Sequence, residues 1–248
     1  MNNPNRRYLV LGASAGLSLA LAGCNTTQPD PNLKVAAVKG KLGKPAPTPV
    51  PDAVRTAAVP AGPDRYQALY GAAQGEKFGV GAVKPGTIPE AFWRSDVAYL
   101  SSEPAGSIVV DPHAHYLYFV QGGGRATRYG VGVGKEGFGW NGVANINSKQ
   151  EWPDWYPPPE MIARDPSIRS RVGKLPSGIG VPGGNSNPLG ARAMYLWQGN
   201  KDTLFRIHGT LEPGTIGKNV SSGCIRMVNQ DAIDLYSRVA VGTVVKVL

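Results

Sequence analysis

Cysteine and histidine are scarce in this chain, two and three respectively in 248 residues. Two cysteines cannot build a disulfide framework. Three histidines without a ligand-spaced cluster argue against zinc, and no metal or organic cofactor is expected. Acidic residues are also in deficit, with 17 Asp and Glu against 26 Lys and Arg, for a formal net charge of +9. The basic residues are nevertheless spread thinly, with no cluster longer than Arg6-Arg7 and no interleaved aromatics. No nucleic-acid partner is expected from that pattern; a diffuse positive field suits an anionic polymer or an anionic membrane surface. The apolar stretch from Tyr8 to Ala22 falls short of the roughly 20 residues that a transmembrane helix needs. What the chain does have is 33 glycines and 22 prolines, with 42% hydrophobic residues. That composition can bury a core in one good-sized domain or two small ones, and it favours turns, loops and strands over long helices.

Arg6 and Arg7 precede the apolar stretch, which carries no acidic residue and ends in Leu21-Ala22-Gly23-Cys24. A positive segment, a short apolar segment and then small residues are the layout of a secretory signal. The ending resembles the bacterial lipobox, in which the cysteine thiol is acylated with diacylglycerol and becomes the new first residue. Residues 1–23 are therefore expected to be a lipoprotein signal and Cys24 the lipidation site. The protein would then be periplasmic and held to a bacterial membrane, inner or outer, by a lipid anchor. The Arg6-Arg7 pair fits twin-arginine and Sec export alike. Residues 24–63 are rich in Pro, Ala and Lys without periodicity, and Lys44–Pro51 reads as an extended spacer. If lipidation consumes Cys24, Cys224 is a lone thiol in an oxidising compartment, either buried and inert or kept for chemistry.

Folded sequence is expected from about Asp64, with residues 64–106 as a weakly patterned extension containing a short strand at Asp96–Tyr99. Ser107–Asp111 and His115–Val120 flank the turn Pro112-His113-Ala114, a hairpin signal. Arg125–Val133 continues the strand series, and Gly134–Gly142 reads as a glycine-rich loop. Trp152–Pro182 reads as irregular, with Trp152 and Trp155 assigned to packing. Strands are expected again at Ala193–Gln198 and Thr203–His208, around a turn at Gly199–Asp202. Asn229 is the expected N-cap of a helix running to about Val239, whose apolar face would be Ile233, Tyr236 and Ala240. Thr243–Leu248 closes the chain as a strand.

Two short stretches carry chemistry: Arg206-Ile-His-Gly-Thr210 and Ser221-Ser-Gly-Cys-Ile-Arg-Met227. His208 ends a predicted strand, and Cys224 follows a loop just before a helix. A thiol is only a few per cent ionised at neutral pH, so it needs a base to become a nucleophile. Gly223 permits a sharp turn that aims the Cys224 amide into a cleft as an oxyanion donor. His113 and His115, in the hairpin, are read as surface or cross-strand residues. Arg226 either grips a substrate carboxylate or pairs with an acidic neighbour and holds the loop.

His208-Gly-Thr, then Ser-x-Gly-Cys-Ile-Arg with the cysteine sixteen positions after the histidine, resembles the signature of the L,D-transpeptidase catalytic domain (YkuD) family. The resemblance runs from about Ser107 to Leu248 and includes Asn187-Pro-Leu-Gly-Ala191. It implies a mainly β, sandwich-like domain over 107–248 with one or two short helices. It further implies Cys224 as nucleophile, His208 as general base, the Gly209 carbonyl as the orienter of the imidazole, and the Gly223 and Cys224 amides as the oxyanion hole, with Ser221 and Ser222 beside them. Where the family usually has a second histidine, this chain has Ser222, which leaves His208 as the base. The implied reaction is attack on a peptidoglycan stem peptide through a thioester, followed by transfer to an amine. Hydrolysis of the same thioester, and a non-catalytic peptidoglycan-binding lipoprotein, are the competing readings.

Overall fold

The computed structural model describes residues 63–135 and 139–248. The expected signal, Cys24 and the spacer as far as residue 62 lie outside the described residues. Pro63 belongs to a helix, α1 (Pro63–Tyr70), and β1 (Ser95–Ala98) forms one residue ahead of the expected strand. The hairpin series follows as β2 (Ile108–Asp111), β3 (Tyr116–Gly122) and β4 (Arg125–Gly130). Its first turn forms because Asp111 Oδ1 accepts the N–H groups of both His113 and Ala114 at 3.0 Å, the local bond that makes Asp a turn former. One short strand and one long one come next: β5 (Val133–Gly134) and β6 (Gly142–Glu151). The long stretch read as irregular contains α2 (Pro159–Arg164), α3 (Pro166–Arg169) and the hairpin β7 (Gly173–Leu175)–β8 (Gly178–Gly180). Then come β9 (Arg192–Gln198), β10 (Lys201–His208), β11 (Asn219–Ser221), β12 (Ile225–Arg226), α4 (Asn229–Arg238) and β13 (Val244–Val247).

The domain is mainly β. Among the described residues nine strands make one mixed sheet in the order β1-β4-β3-β2-β13-β6-β9-β10-β12, with β5–β11 and β7–β8 as two-stranded ribbons. Alternation along the strands delivers Ile108, Val110, Leu117, Ile146, Leu196, Ile207 and Val245 to a single core, and α4 adds Ala232, Leu235 and Val239 to it. Each Val, Leu or Ile among them contributes about 1.5–3 kcal/mol on burial, so this shared core, more than helix propensity, keeps α4 against the sheet. The core face of α4 is thus turned about one residue from the expected Ile233–Tyr236–Ala240 face. The helix starts at Asn229 itself, with Val228 in the cap position and no side-chain cap. Among the described residues no helix is long and apolar enough to cross a membrane.

Residues 63–94 are sewn onto α4 by polar bonds as well as by the Tyr66, Leu69, Tyr70, Val83 and Ile88 cluster. Gln230 Nε2 donates to the carbonyls of Gly71 and Gly81 at 3.0 Å. Tyr70 donates to Asp231 Oδ2 at 3.2 Å and accepts the Arg94 N–H at 2.7 Å. The Arg94 guanidinium lies 3.1 Å from Asp234 and 3.6 Å from Asp231. Burial pushes the Asp231 carboxyl up to about 7, against the pull of Arg94 and with the repulsion of Asp234. The folded protein therefore keeps a proton that the unfolded chain has already lost above about pH 4. The stability that this proton carries is present in acid and is lost as pH rises through about 7. Asp231→Asn, which keeps the shape without the charge, should accordingly gain melting temperature relative to the natural chain as pH goes from 5 to 8. Parallel melting curves for the two proteins across that range would contradict the assignment.

Candidate active site

β10 and β12 pair in parallel, Ile207 opposite Ile225 and His208 opposite Arg226. Ile207 and Ile225 both enter the core, at 0% and 5% exposure. Because side chains alternate across a strand, Arg206, His208, Cys224 and Arg226 all stand on the other face, together. The Met227 N–H donates to the His208 carbonyl at 2.8 Å and closes this corner. The paired edge of the sheet thus brings the two sequence-distant stretches to one place.

The His208 ring is buried, and its Nδ1–H donates to the Gly209 carbonyl at 2.5 Å. A carbonyl only accepts, so that bond places a ring proton on Nδ1. Burial pushes the imidazole down to about 4, the Gly209 bond opposes this, and the Arg226 and Arg206 charges add to the fall. At neutral pH the ring is an uncharged base. Gly209 and Gly190 are packed around the Asn229 side chain: a Cβ at either position would overlap Asn229 Oδ1, and Gly190 has φ +64°. Asn229 Oδ1 accepts the Ala191 N–H at 2.9 Å. The residue expected to cap α4 instead ties the helix start to the loop beside His208. Asn187, fully buried, donates to the carbonyls of Pro153 and Val181 at 2.9 Å and accepts the Leu189 N–H at 2.9 Å, fixing the other end of that loop.

Cys224 is partly exposed. Ser221 Oγ donates to the Cys224 carbonyl at 2.6 Å and accepts the Gly223 N–H at 3.1 Å, so this buried hydroxyl holds the turn at Gly223, where φ is +122°. The Gly223 amide is therefore committed to Ser221, whereas the Cys224 amide has no acceptor among the described residues. Ser222 is exposed. The thiol makes a long bond to the Leu204 carbonyl at 3.9 Å. Burial pushes the thiol up, opposed by the Arg206 charge, the Arg206 N–H and the Arg226 charge. The resting pair is a neutral thiol and a neutral imidazole.

Of the two readings of Arg226, the ion pair is the one present: Nη1 lies 2.9 Å from Glu212 Oε2. Glu212 is largely exposed, and such pairs are worth only about 0–1 kcal/mol, so the guanidinium can exchange partners. His113 is exposed, and His115 pairs with Asn219 at 2.7 Å. Trp152 is buried with Phe78 and Val80, and donates Nε1–H to Glu76 at 3.0 Å. Among the described residues no three His, Cys, Asp or Glu gather to hold a metal ion.

Arg206, Asp202 and Asn229 were not expected at the site from sequence. Arg206 could have been found by parity alone, because it stands two residues before His208 on the same face of a strand.

A cysteine and a histidine thus lie at one sheet edge, with a serine-held glycine turn before the cysteine. The family model described as the L,D-transpeptidase catalytic domain, YkuD, matches residues 105–247, and the chain belongs to that family. It is 37% identical over 120 residues to the probable L,D-transpeptidase ErfK/SrfK of Escherichia coli K12, covering 48% of this chain and 36% of that protein. It is 31% identical over 140 residues to the probable L,D-transpeptidase YbiS of the same strain, covering 56% and 42%. The chain thus spans less than half the length of these curated relatives. A solved structure described as a probable carnitine operon oxidoreductase caia from Brucella melitensis aligns at 50% identity over 63% of this chain and 94% of that one, with a TM-score of 0.44.

Proposed function

We propose that the protein is a cysteine-dependent L,D-transpeptidase that acts on peptidoglycan stem peptides through a thioester acyl-enzyme. The observation that carries this reading is the placement of a partly exposed Cys224 on the same sheet face as His208, whose Nδ1 is held by the Gly209 carbonyl. Nε2 takes the thiol proton as the sulfur attacks the carbonyl between the L-centre of the diamino acid and the terminal D-Ala. The oxyanion is received by the Cys224 N–H; the Gly223 N–H joins only by leaving Ser221 Oγ. The C–N bond then breaks, the imidazolium returns its proton to the departing D-Ala amine, and the thioester remains. A side-chain amine of a neighbouring stem attacks next and gives its proton to His208. The C–S bond breaks, and the sulfur is reprotonated. Arg226, released from Glu212, is suited to grip a stem carboxylate. The leader-like segment ending at Cys24 supports a periplasmic, lipid-anchored location, facing this polymer.

Product analysis with a tetrapeptide donor and a second stem as acceptor tests the proposal. Cross-linked dimer is the expected product. Free tripeptide alone would make the enzyme a carboxypeptidase through the same thioester.

A further inference from the structure

β10 is interrupted by a bulge between Asp202 and Arg206. At its centre Leu204 has φ +62° and is exposed, a conformation that a branched, non-glycine side chain adopts only when its surroundings impose it. Asp202 imposes it. Its Oδ1 accepts the Leu204 N–H at 2.8 Å and Arg206 Nη1 at 2.7 Å, while Oδ2 accepts Arg206 Nη2 at 2.8 Å. The guanidinium of Arg206 also lies over the Tyr195 ring of β9, 4.6 Å from its centroid. A fork held on both carboxylate oxygens and stacked on a ring has little freedom. The strand register puts this fixed cation on the face that carries Cys224, and the bulge turns the Leu204 carbonyl to the thiol. Bulges beside active sites re-aim groups in this way.

We propose that Arg206 is a positioning residue for the nucleophile: locked by Asp202 and Tyr195 across the bulge, it presents its charge and its main-chain N–H to the Cys224 sulfur, stabilising the thiolate as the thiol leaves the Leu204 carbonyl and gives its proton to His208. The assignment rests on Cys224 acting as the nucleophile. The charged groups that act on the sulfur are Arg206 and Asp202 of β10 and Arg226, whose partner is Glu212; Tyr195 lies over Arg206. Of these, Arg206 gives the largest opposition to the burial that disfavours the thiolate.

The test is the pH dependence of Cys224 alkylation by iodoacetamide, followed by intact mass on the full chain without any stem peptide. In Arg206→Met the alkylation midpoint should move up by about one pH unit, a tenfold slower reaction at pH 7. Arg206→Lys should recover most of it, because the charge returns without the fork. Arg206→Gln, whose amide still reaches Asp202, repeats the measurement should methionine disturb the sheet. A purely structural arginine would lower the melting temperature and leave the midpoint where it was; that result overturns the proposal. Acylation by a tetrapeptide, measured in parallel, should lose kcat with KM little changed. If the midpoint moves but no variant, nor the natural chain, is acylated, the transpeptidase reading fails and the positioning role stands.

Discussion

Replacing His208 with glutamine is expected to slow acylation of Cys224 by about 10²–10⁴-fold, the usual contribution of a positioned general base. Gln fills much of the same buried space and still donates a hydrogen bond, but it has no lone-pair nitrogen able to accept a proton at neutral pH. The loss should fall on kcat, because His208 is buried behind the Gly190 and Gly209 loops. The natural enzyme should also show an unusual acid limb. Its imidazole is pushed down to about 4, first by burial and then by the Arg226 and Arg206 charges, against the Gly209 bond. The working form is the neutral ring, so the rate should hold from pH 7 to pH 5 and fall only as pH approaches 4. A solvent-exposed histidine would have lost its base near pH 6.5. The same proton affects folding: the unfolded chain binds it near 6.5 and the folded chain only near 4. The stability that the neutral ring contributes is therefore complete above 6.5 and is lost as pH falls through about 4. An acid limb at 6.5 in kcat/KM would show that the base is not this histidine.

Cys224→Ser is expected to abolish turnover, a loss on the order of 10⁶-fold, as when a covalent nucleophile is removed elsewhere. The fold should survive, because Cys224 is partly exposed and its bond to the Leu204 carbonyl is long. Melting temperature should therefore stay within the small range typical of surface changes. The asymmetry is chemical. A hydroxyl holds its proton far more tightly than a thiol, and a buried, weakly basic imidazole cannot draw it off. Even the thiol is pushed up by burial, with the Arg206 and Arg226 charges opposing. Circular dichroism and intact mass with a tetrapeptide separate the two effects: retained structure with no adduct is the expected pair.

The strand residues were legible where apolar, β-forming residues run together between turn signals. Ile108–Asp111, Tyr116–Gly122 and Arg192–Gln198 are such runs, and their strands fall within a residue or two of expectation. β6 was not legible: its second half, Asn147–Glu151, is polar, and only Ala144 and Ile146 mark its inner face. The short helices α2 and α3 were hidden in the same way, among prolines that read as breaks but in fact open helices at their first positions. At the site, His208 and Cys224 declared themselves by residue type and small neighbours. The groups that position them did not, because each acts through a contact distant in sequence. Asn229 reached Ala191 instead of capping its own helix. The turn expected at Gly199–Asp202 closed at Gly199-Asn200 and let Lys201 and Asp202 begin a strand. The bulge that follows depends on an aspartate carboxylate bonding two and four residues ahead, which no period reveals.

The most direct measurement is the intact mass of the natural chain after incubation with a stem tetrapeptide ending in D-Ala. The account predicts a covalent adduct equal to the peptide minus D-Ala, mapped to Cys224 and cleaved by hydroxylamine as a thioester. An unmodified mass under conditions where iodoacetamide does label Cys224, or an adduct on any other residue, would contradict it.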